Sequence, residues 1–230
     1  MKNLAPINDM RVEDLNNEGT SQMYLACGRG AQGTIRALRQ GLTVLEKAVS
    51  SVSGMGIPHS VMTLKGSRQD EHHKYIIMTF QDQSYILQIS GSSVDQAKNT
   101  GFVTNEQTLH AEILDGDIFI QVTRKSLIQI QGRGENRKKT KWDSDKGRIL
   151  KACSNSRQVI IYIEGGQIVY FEIDTLTGML SENQTQFFET EICCLDIGHV
   201  PEGRQRCKFL VIGQQDKTVR VLSLEPESCL

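Results

Sequence analysis

Residues 159–174, VIIYIEGGQIVYFEID, place two runs of β-branched and aromatic residues on either side of Gly165-Gly166, and the first run has hardly a polar side chain. A hairpin with one wet face alternates apolar and polar positions, so this one requires cover on both faces. The same arrangement recurs in QMYLACGRGAQGTIRALRQ, YIIMTFQDQSYILQIS, IFIQVTRKSLIQIQG and FLVIGQQDKTVRVLSLE: an apolar run, a tight polar or glycine-containing turn, then a more polar run. The five hairpins recur irregularly at about 40 to 50 residues, the period of propeller blades. A shorter candidate strand precedes each of them: INDMRVEDL, SVMTLK, TLHAEIL, ILKACS and EICCLDI. LTVLEKAVS and QTQFFET supply outer segments, so that one strand, a hairpin and an outer strand make a four-stranded unit.

The first hairpin strands read as apolar on both faces at Ile76-Ile77-Met78, Val159 to Ile163 and Phe209 to Ile212. Sheets packed face to face about an axis cover such strands, because each lies between two neighbours and only its outermost strand is wet. A two-sheet sandwich would alternate more cleanly. The pattern predicts an all-β chain, a single β-propeller domain over residues 1–230 built of four-stranded antiparallel blades, about five of them. TIRALRQGLTVLEKAV has the spacing of an amphipathic helix, but Gly41 and the β-branched residues oppose it.

Composition narrows the function classes. With 38% hydrophobic and 23% charged residues the chain reads as globular, and its net charge of -1 gives no global pull on nucleic acid or an anionic membrane. No stretch approaches the roughly 18 apolar residues of a membrane span, and MKNLAPINDM lacks the apolar core of a secretory signal. The six cysteines are scattered, mostly within apolar runs, which suits buried thiols in a reducing, intracellular compartment.

Several stretches imitate chemistry. Gly28, Gly30 and Gly33 spell the dinucleotide fingerprint, but no acidic residue follows near 20 positions on, and the context reads as a glycine-rich hairpin loop. Asp70, Glu71, His72 and His73 offer metal-ligand types, yet adjacent histidines in an extended chain point opposite ways, so a solvated loop is expected. Cys193-Cys194 meets the same objection. Asn183-Gln184-Thr185 is a formal glycosylation sequon, and Trp142-Asp143 and Gly198-His199 are isolated dipeptides of a propeller family's marks. No nucleophile elbow, P-loop or supported acid and base pair is present, so no catalytic residue, cofactor or metal ligand is expected. NRKKTKWDSDKGR places Arg137, Lys138, Lys139 and Lys141 beside Trp142, a set able to grip phosphates and stack a base. Asp143 and Asp145 follow at once, and a basic loop connecting two blades is the plainer reading.

YLACGRGAQGTIRALRQGLTV, RQVIIYIEGGQIVYFEID, VPEGRQRCKFLVIGQQDKTVRVLSLEPESCL and APINDMRVEDLNNEG resemble the large propeller scaffolds of the splicing factor 3b, damaged-DNA-binding and cleavage-and-polyadenylation complexes, the splicing factor 3b branch above all. The resemblance runs over nearly the whole chain and implies the central one of three seven-bladed propellers. It implies a nuclear, non-enzymatic scaffold in the U2 small nuclear ribonucleoprotein, acting in pre-mRNA splicing and branch-site recognition. Partners would be other splicing factor 3b subunits and spliceosomal proteins, with RNA contact mainly indirect and no membrane or small-molecule substrate. The damaged-DNA branch implies an alternative, an adaptor of a cullin ubiquitin ligase. Five hairpins fall short of seven blades, and the chain stops inside what the family would continue, so a fragment is expected. Its motifs are structural positions, and no functional residue transfers by resemblance.

Overall fold

The computed structural model describes residues 6–15, 17, 19–39, 56–91, 93–132 and 137–230. The chain divides into two compact units, Met1–Val52 and Ser53–Leu230. The first unit holds sheet I, made of β1 (Ile7–Glu13), β2 (Gln22–Cys27) and β3 (Thr34–Leu38). Among its described residues Leu25 and Cys27 are the buried apolar ones, while β1 is exposed along its length. The outer segment expected at LTVLEKAVS lies outside the described residues.

The second unit holds four sheets, each an antiparallel meander of consecutive strands. Sheet II comprises β4 (Ser60–Lys65), β5 (His73–Thr79), β6 (Ser84–Ser90) and β7 (Ser93–Gln96). Sheet III comprises β8 (Thr108–Leu114), β9 (Ile118–Thr123), β10 (Ser126–Gln131) and β11 (Lys138–Asp143). Sheet IV comprises β12 (Ile149–Ser154), β13 (Gln158–Ile163), β14 (Gln167–Ile173) and β15 (Leu180–Phe187), and sheet V β16 (Ile192–Ile197), β17 (Phe209–Gln214) and β18 (Val219–Ser223). β4, β8, β12 and β16 lie side by side, so the first strand of each sheet meets that of the next. Sheets II, III and IV are the expected four-stranded antiparallel blades, whereas sheet V has three strands. The short strand before each hairpin is present in every sheet, whereas β15 begins earlier than QTQFFET.

The hairpin that opened the sequence reading is covered as its composition requires. Val159, Ile161 and Ile163 of β13 join a core with Ile118, Ile120 and Val122 of β9. Ile160 and Tyr162, pointing the other way, join Leu210 and Ile212 of β17. A third core sets Phe119, Ile128 and Ile130 of sheet III against Tyr75, Ile77 and Ile86 of sheet II. All six residues of β9 and all six of β13 are buried. At roughly 1.5–3 kcal/mol for each large side chain removed from water, these walls dominate the stability of the unit.

Two-sided burial does not extend to every strand read that way. Ile76 and Met78 of β5 are half-buried, and β17 leaves Phe209 55% and Val211 42% exposed beside Val219 and Val221 of β18. Phe209 and Val211 lie on the face of β17 opposite Leu210 and Ile212, which pack toward sheet IV.

Polar pins join the sheets where apolar contact alone would let them slide. The Gln121 amide accepts the Val103 N–H at 2.7 Å and donates to the Val103 carbonyl at 2.8 Å, pairing with the peptide much as a strand would. Gln158 treats Cys207 alike, accepting its N–H at 2.6 Å and donating to its carbonyl at 3.0 Å. Gln129 accepts the Leu180 N–H at 3.0 Å and donates to the Gly178 carbonyl. Gln121 and Gln158 are fully buried, so their amides must be matched or each unmatched group costs about 1–3 kcal/mol. Replacing Gln158→Leu strands the Cys207 peptide and one N–H of the Asn155 amide, which donates to Gln158 at 2.9 Å and keeps its bond to the Gly198 carbonyl. Urea unfolding of that variant is expected to show a loss of about 3 kcal/mol, with the slope unchanged.

Candidate interaction surface

The basic stretch is not a connection between blades. Residues 138–143 form β11, the outer strand of sheet III, in register with β10 from Gln131↔Lys138 to Ser126↔Asp143. This corrects the loop reading, and the physical reason is the backbone pairing of an outer strand whose solvated side chains carry no apolar signature. Strand alternation splits the cations: Lys138 shares a face with Thr140 and Trp142, whereas Lys139 and Lys141 share the other. Lys141 Nζ lies 2.6 Å from Asp143 Oδ1, and that hydrogen bond raises the lysine pKa on an open surface. Arg137 turns back to donate to the Asn99 carbonyl at 2.9 Å. Lysines along an outer edge also oppose edge-to-edge pairing with another sheet.

Trp142 is engaged within the fold. Its ring meets Phe171 of sheet IV edge-on, with centroids 5.2 Å apart at 80°, and its indole N–H donates to Glu182 Oε2 at 3.0 Å. The indole therefore ties the outer edges of sheets III and IV together, and stacking on a base would compete with that contact.

The other chemical motifs resolve into local structure. Gly28, Gly30 and Gly33 lie in the β2–β3 hairpin connection, where a single 3-10 turn spans Gly30–Gln32. Gly28 has φ +91° and a Cβ there would sit 2.5 Å from the Gln32 carbonyl oxygen, so the turn itself requires glycine. Asp70 closes its own loop by accepting the Gly66 and Ser67 N–H groups at 3.1 and 2.9 Å, and His73 begins β5. Among the described residues no three histidine, cysteine, aspartate or glutamate side chains gather as a metal site. Cys193 and Cys194 are both exposed at a bulge in β16, where the pairing skips between Ile192 and Cys194. The regular alternation that would point them oppositely is thus broken. Burial pushes the Cys153 thiol far up, which makes it inert. The sequon Asn183-Gln184-Thr185 lies on β15.

Apolar periodicity gave no sign of two polar features. His110 of β8 and Ser154 of β12 meet between first strands, with Nε2 2.7 Å from Oγ. Burial lowers the His110 pKa below its ordinary 6.5, against a smaller opposing pull from Glu112. The second feature is a set of charges at the tips of the loops after β4, β8 and β12, centred on Asp115. A cleft of about 430 Å³ opens beside it, walled by Asp115, Ile118, Gln131, Arg157 and the turn 174–178. Asp174 holds that turn by accepting the Leu176 N–H at 2.8 Å and the Thr177 hydroxyl at 2.9 Å, which lowers its pKa and leaves Leu176 95% exposed at the tip. The surface offers rigid loops on a fixed frame, the usual equipment of a protein-binding module.

Comparison with known proteins agrees with this geometry. The family described as the RSE1/DDB1/CPSF1 second beta-propeller matches residues 47–230. Splicing factor 3B subunit 3 of Drosophila melanogaster is 40% identical over the whole chain, and that of Danio rerio 37% identical over the whole chain. The pre-mRNA-splicing factor RSE1 of Pyricularia oryzae is 38% identical over 99% of it. In each case the chain spans 18% of the relative's length.

The depressed His110 pKa fixes the sign of a pH effect. The unfolded chain takes up the proton first, so the contribution is intact above about pH 6.5 and is lost as pH falls toward the folded-state value. Thermal melts of His110→Gln and the parent between about pH 8 and pH 5 are expected to diverge, the parent falling more steeply below about pH 6.5.

Proposed function

Since the chain belongs to the RSE1/DDB1/CPSF1 second-propeller family, we propose that it is a non-enzymatic interaction scaffold of the splicing factor 3b complex in the U2 small nuclear ribonucleoprotein, serving pre-mRNA splicing and branch-site recognition in the nucleus. The observation that carries this reading is the whole-chain similarity to splicing factor 3B subunit 3, at 40% identity in the fly protein. Stacked sheets support it physically, since they hold their loops at fixed positions while loop sequence selects the partner. The reading treats residues 1–230 as one partial propeller domain. Its partners are other splicing factor 3b subunits and spliceosomal proteins, and it needs no cofactor.

Arg137, Lys138, Lys139, Lys141 and Trp142 are the candidate contact surface for RNA or a protein partner. Lys141 is paired to Asp143 and Trp142 is held by Phe171 and Glu182, which favours indirect rather than direct RNA contact.

Affinity capture of the tagged chain from nuclear extract is expected to recover splicing factor 3b subunits with U2 RNA. Recovery of a cullin ligase in their place overturns the splicing assignment in favour of the adaptor. In a filter-binding titration at low salt, a variant with Lys138, Lys139 and Lys141 all changed to Gln is expected to retain as much RNA as the parent. A clear fall in retention would make β11 a direct RNA contact.

A further inference from the structure

We propose that Asp115 is the positioning residue that locks three successive sheets at their loop end and so sets the shape of the adjoining cleft. Each of its two oxygens serves a different neighbour. Oδ1 lies 3.2 Å from Arg68 Nε, in the loop after β4 of sheet II. Oδ2 accepts from Arg157 Nε at 2.6 Å, in the loop after β12 of sheet IV. Asp115 itself follows β8 of sheet III, and its own N–H donates to the Ser156 carbonyl at 2.7 Å. One carboxylate therefore bridges two sheet junctions.

The arginines carry the linkage outward. Arg68 donates through Nη1 to the Ile113 carbonyl at 3.1 Å, and its backbone N–H donates to Asp117 Oδ1 at 2.8 Å. The Ser67 hydroxyl donates to the same Asp117 carboxylate at 2.9 Å. Arg157 Nη1 reaches toward the Arg204 and Gln205 carbonyls of sheet V at 3.4 and 3.5 Å, longer contacts of lesser weight. The sequence Asp115-Gly116-Asp117 suits the task, because Gly116 at φ +79° and Asp117 at φ +58° bend the connection tightly and present both carboxylates at one rim.

Position, rather than bulk stability, is the expected role. The apolar walls lie beneath the rim and are complete without Asp115, whereas Asp115, Arg68 and Arg157 are 31%, 42% and 27% exposed. Partly exposed ion pairs contribute modestly to stability and weaken with salt. They nonetheless fix direction, since a guanidinium fork offers its N–H groups in a rigid plane. Asp115 and Arg157 both line the cleft of about 430 Å³ beneath the exposed Leu176. The arrangement holds whichever partner the rim receives.

The test is hydrogen exchange of the full chain in Asp115→Asn, which preserves shape but replaces one acceptor by a donor facing a guanidinium. Peptides covering residues 66–70, 155–157 and 201–207 are expected to exchange several-fold faster, with β9 and β13 unchanged. About 1 M salt is expected to reproduce much of the change in the parent and add little in the variant. Arg68→Met should loosen the first of these segments alone, and Arg157→Met the other two. Asp143→Asn, whose ion pair stays within β11, should alter none of them. Unchanged rim exchange in Asp115→Asn overturns the proposal. So does a uniform rise across all peptides, which would mark Asp115 as a general stabiliser; should that variant fail to fold, the two arginine variants decide by the same segment pattern.

Discussion

Burial of single strands from both sides governs this protein. β13 has no wet face: Ile161 meets β9 while Ile160, its neighbour in sequence, meets β17. A strand of this kind is insoluble in isolation and marginal in a hairpin, so it dictates a neighbour on each side. The neighbour on one side, β9, is fully buried in its turn and passes the requirement on to sheet II. Serial stacking of sheets follows from that rule without any special sequence signature.

A purely apolar stack fixes separation but not register. Buried amides and rim charges supply register, at Gln121, Gln129 and Gln158 within the stack and at Asp115 on its rim. The division is economical in chemical terms, because directional groups are spent where sliding must be stopped and nonspecific burial is used elsewhere. The same division lets one frame carry loops of different sequence. Loop residues such as Leu176 can vary while Asp174 and Gly178 hold their turn, with the Gly178 N–H donating to the Asp174 carbonyl at 2.7 Å.

Much of this was legible beforehand, and for a definable reason. The hairpins at 159–174 and 118–132 are encoded by apolar runs around turn residues, and burial acts on those runs directly. The short first strands SVMTLK, TLHAEIL and ILKACS were equally visible. β11 was not, because its stabilising contacts are backbone pairs with β10 and its side chains are largely lysine. Exposure of one face of an apolar strand does not appear in local pattern either: Phe209 and Val211 read like Ile160 and Ile161, yet they are exposed while Leu210 and Ile212 between and beside them are buried. The pairings Gln158 with Cys207 and Asp115 with Arg68 and Arg157 connect residues over 40 positions apart, and no spacing rule predicts them. Of the surface read from sequence, Arg137 and the lysines fall on or beside one strand, but alternation divides them and Trp142 is drawn into the wall behind.

Two adjacent substitutions test the central claim most directly. Ile160→Lys and Ile161→Lys introduce the same charge on opposite faces of β13, and urea unfolding measures each cost. If both faces are walled, each variant loses more than about 3 kcal/mol or fails to fold. If one of the pair unfolds close to the parent, β13 has a solvent face and the stacked-sheet account is contradicted.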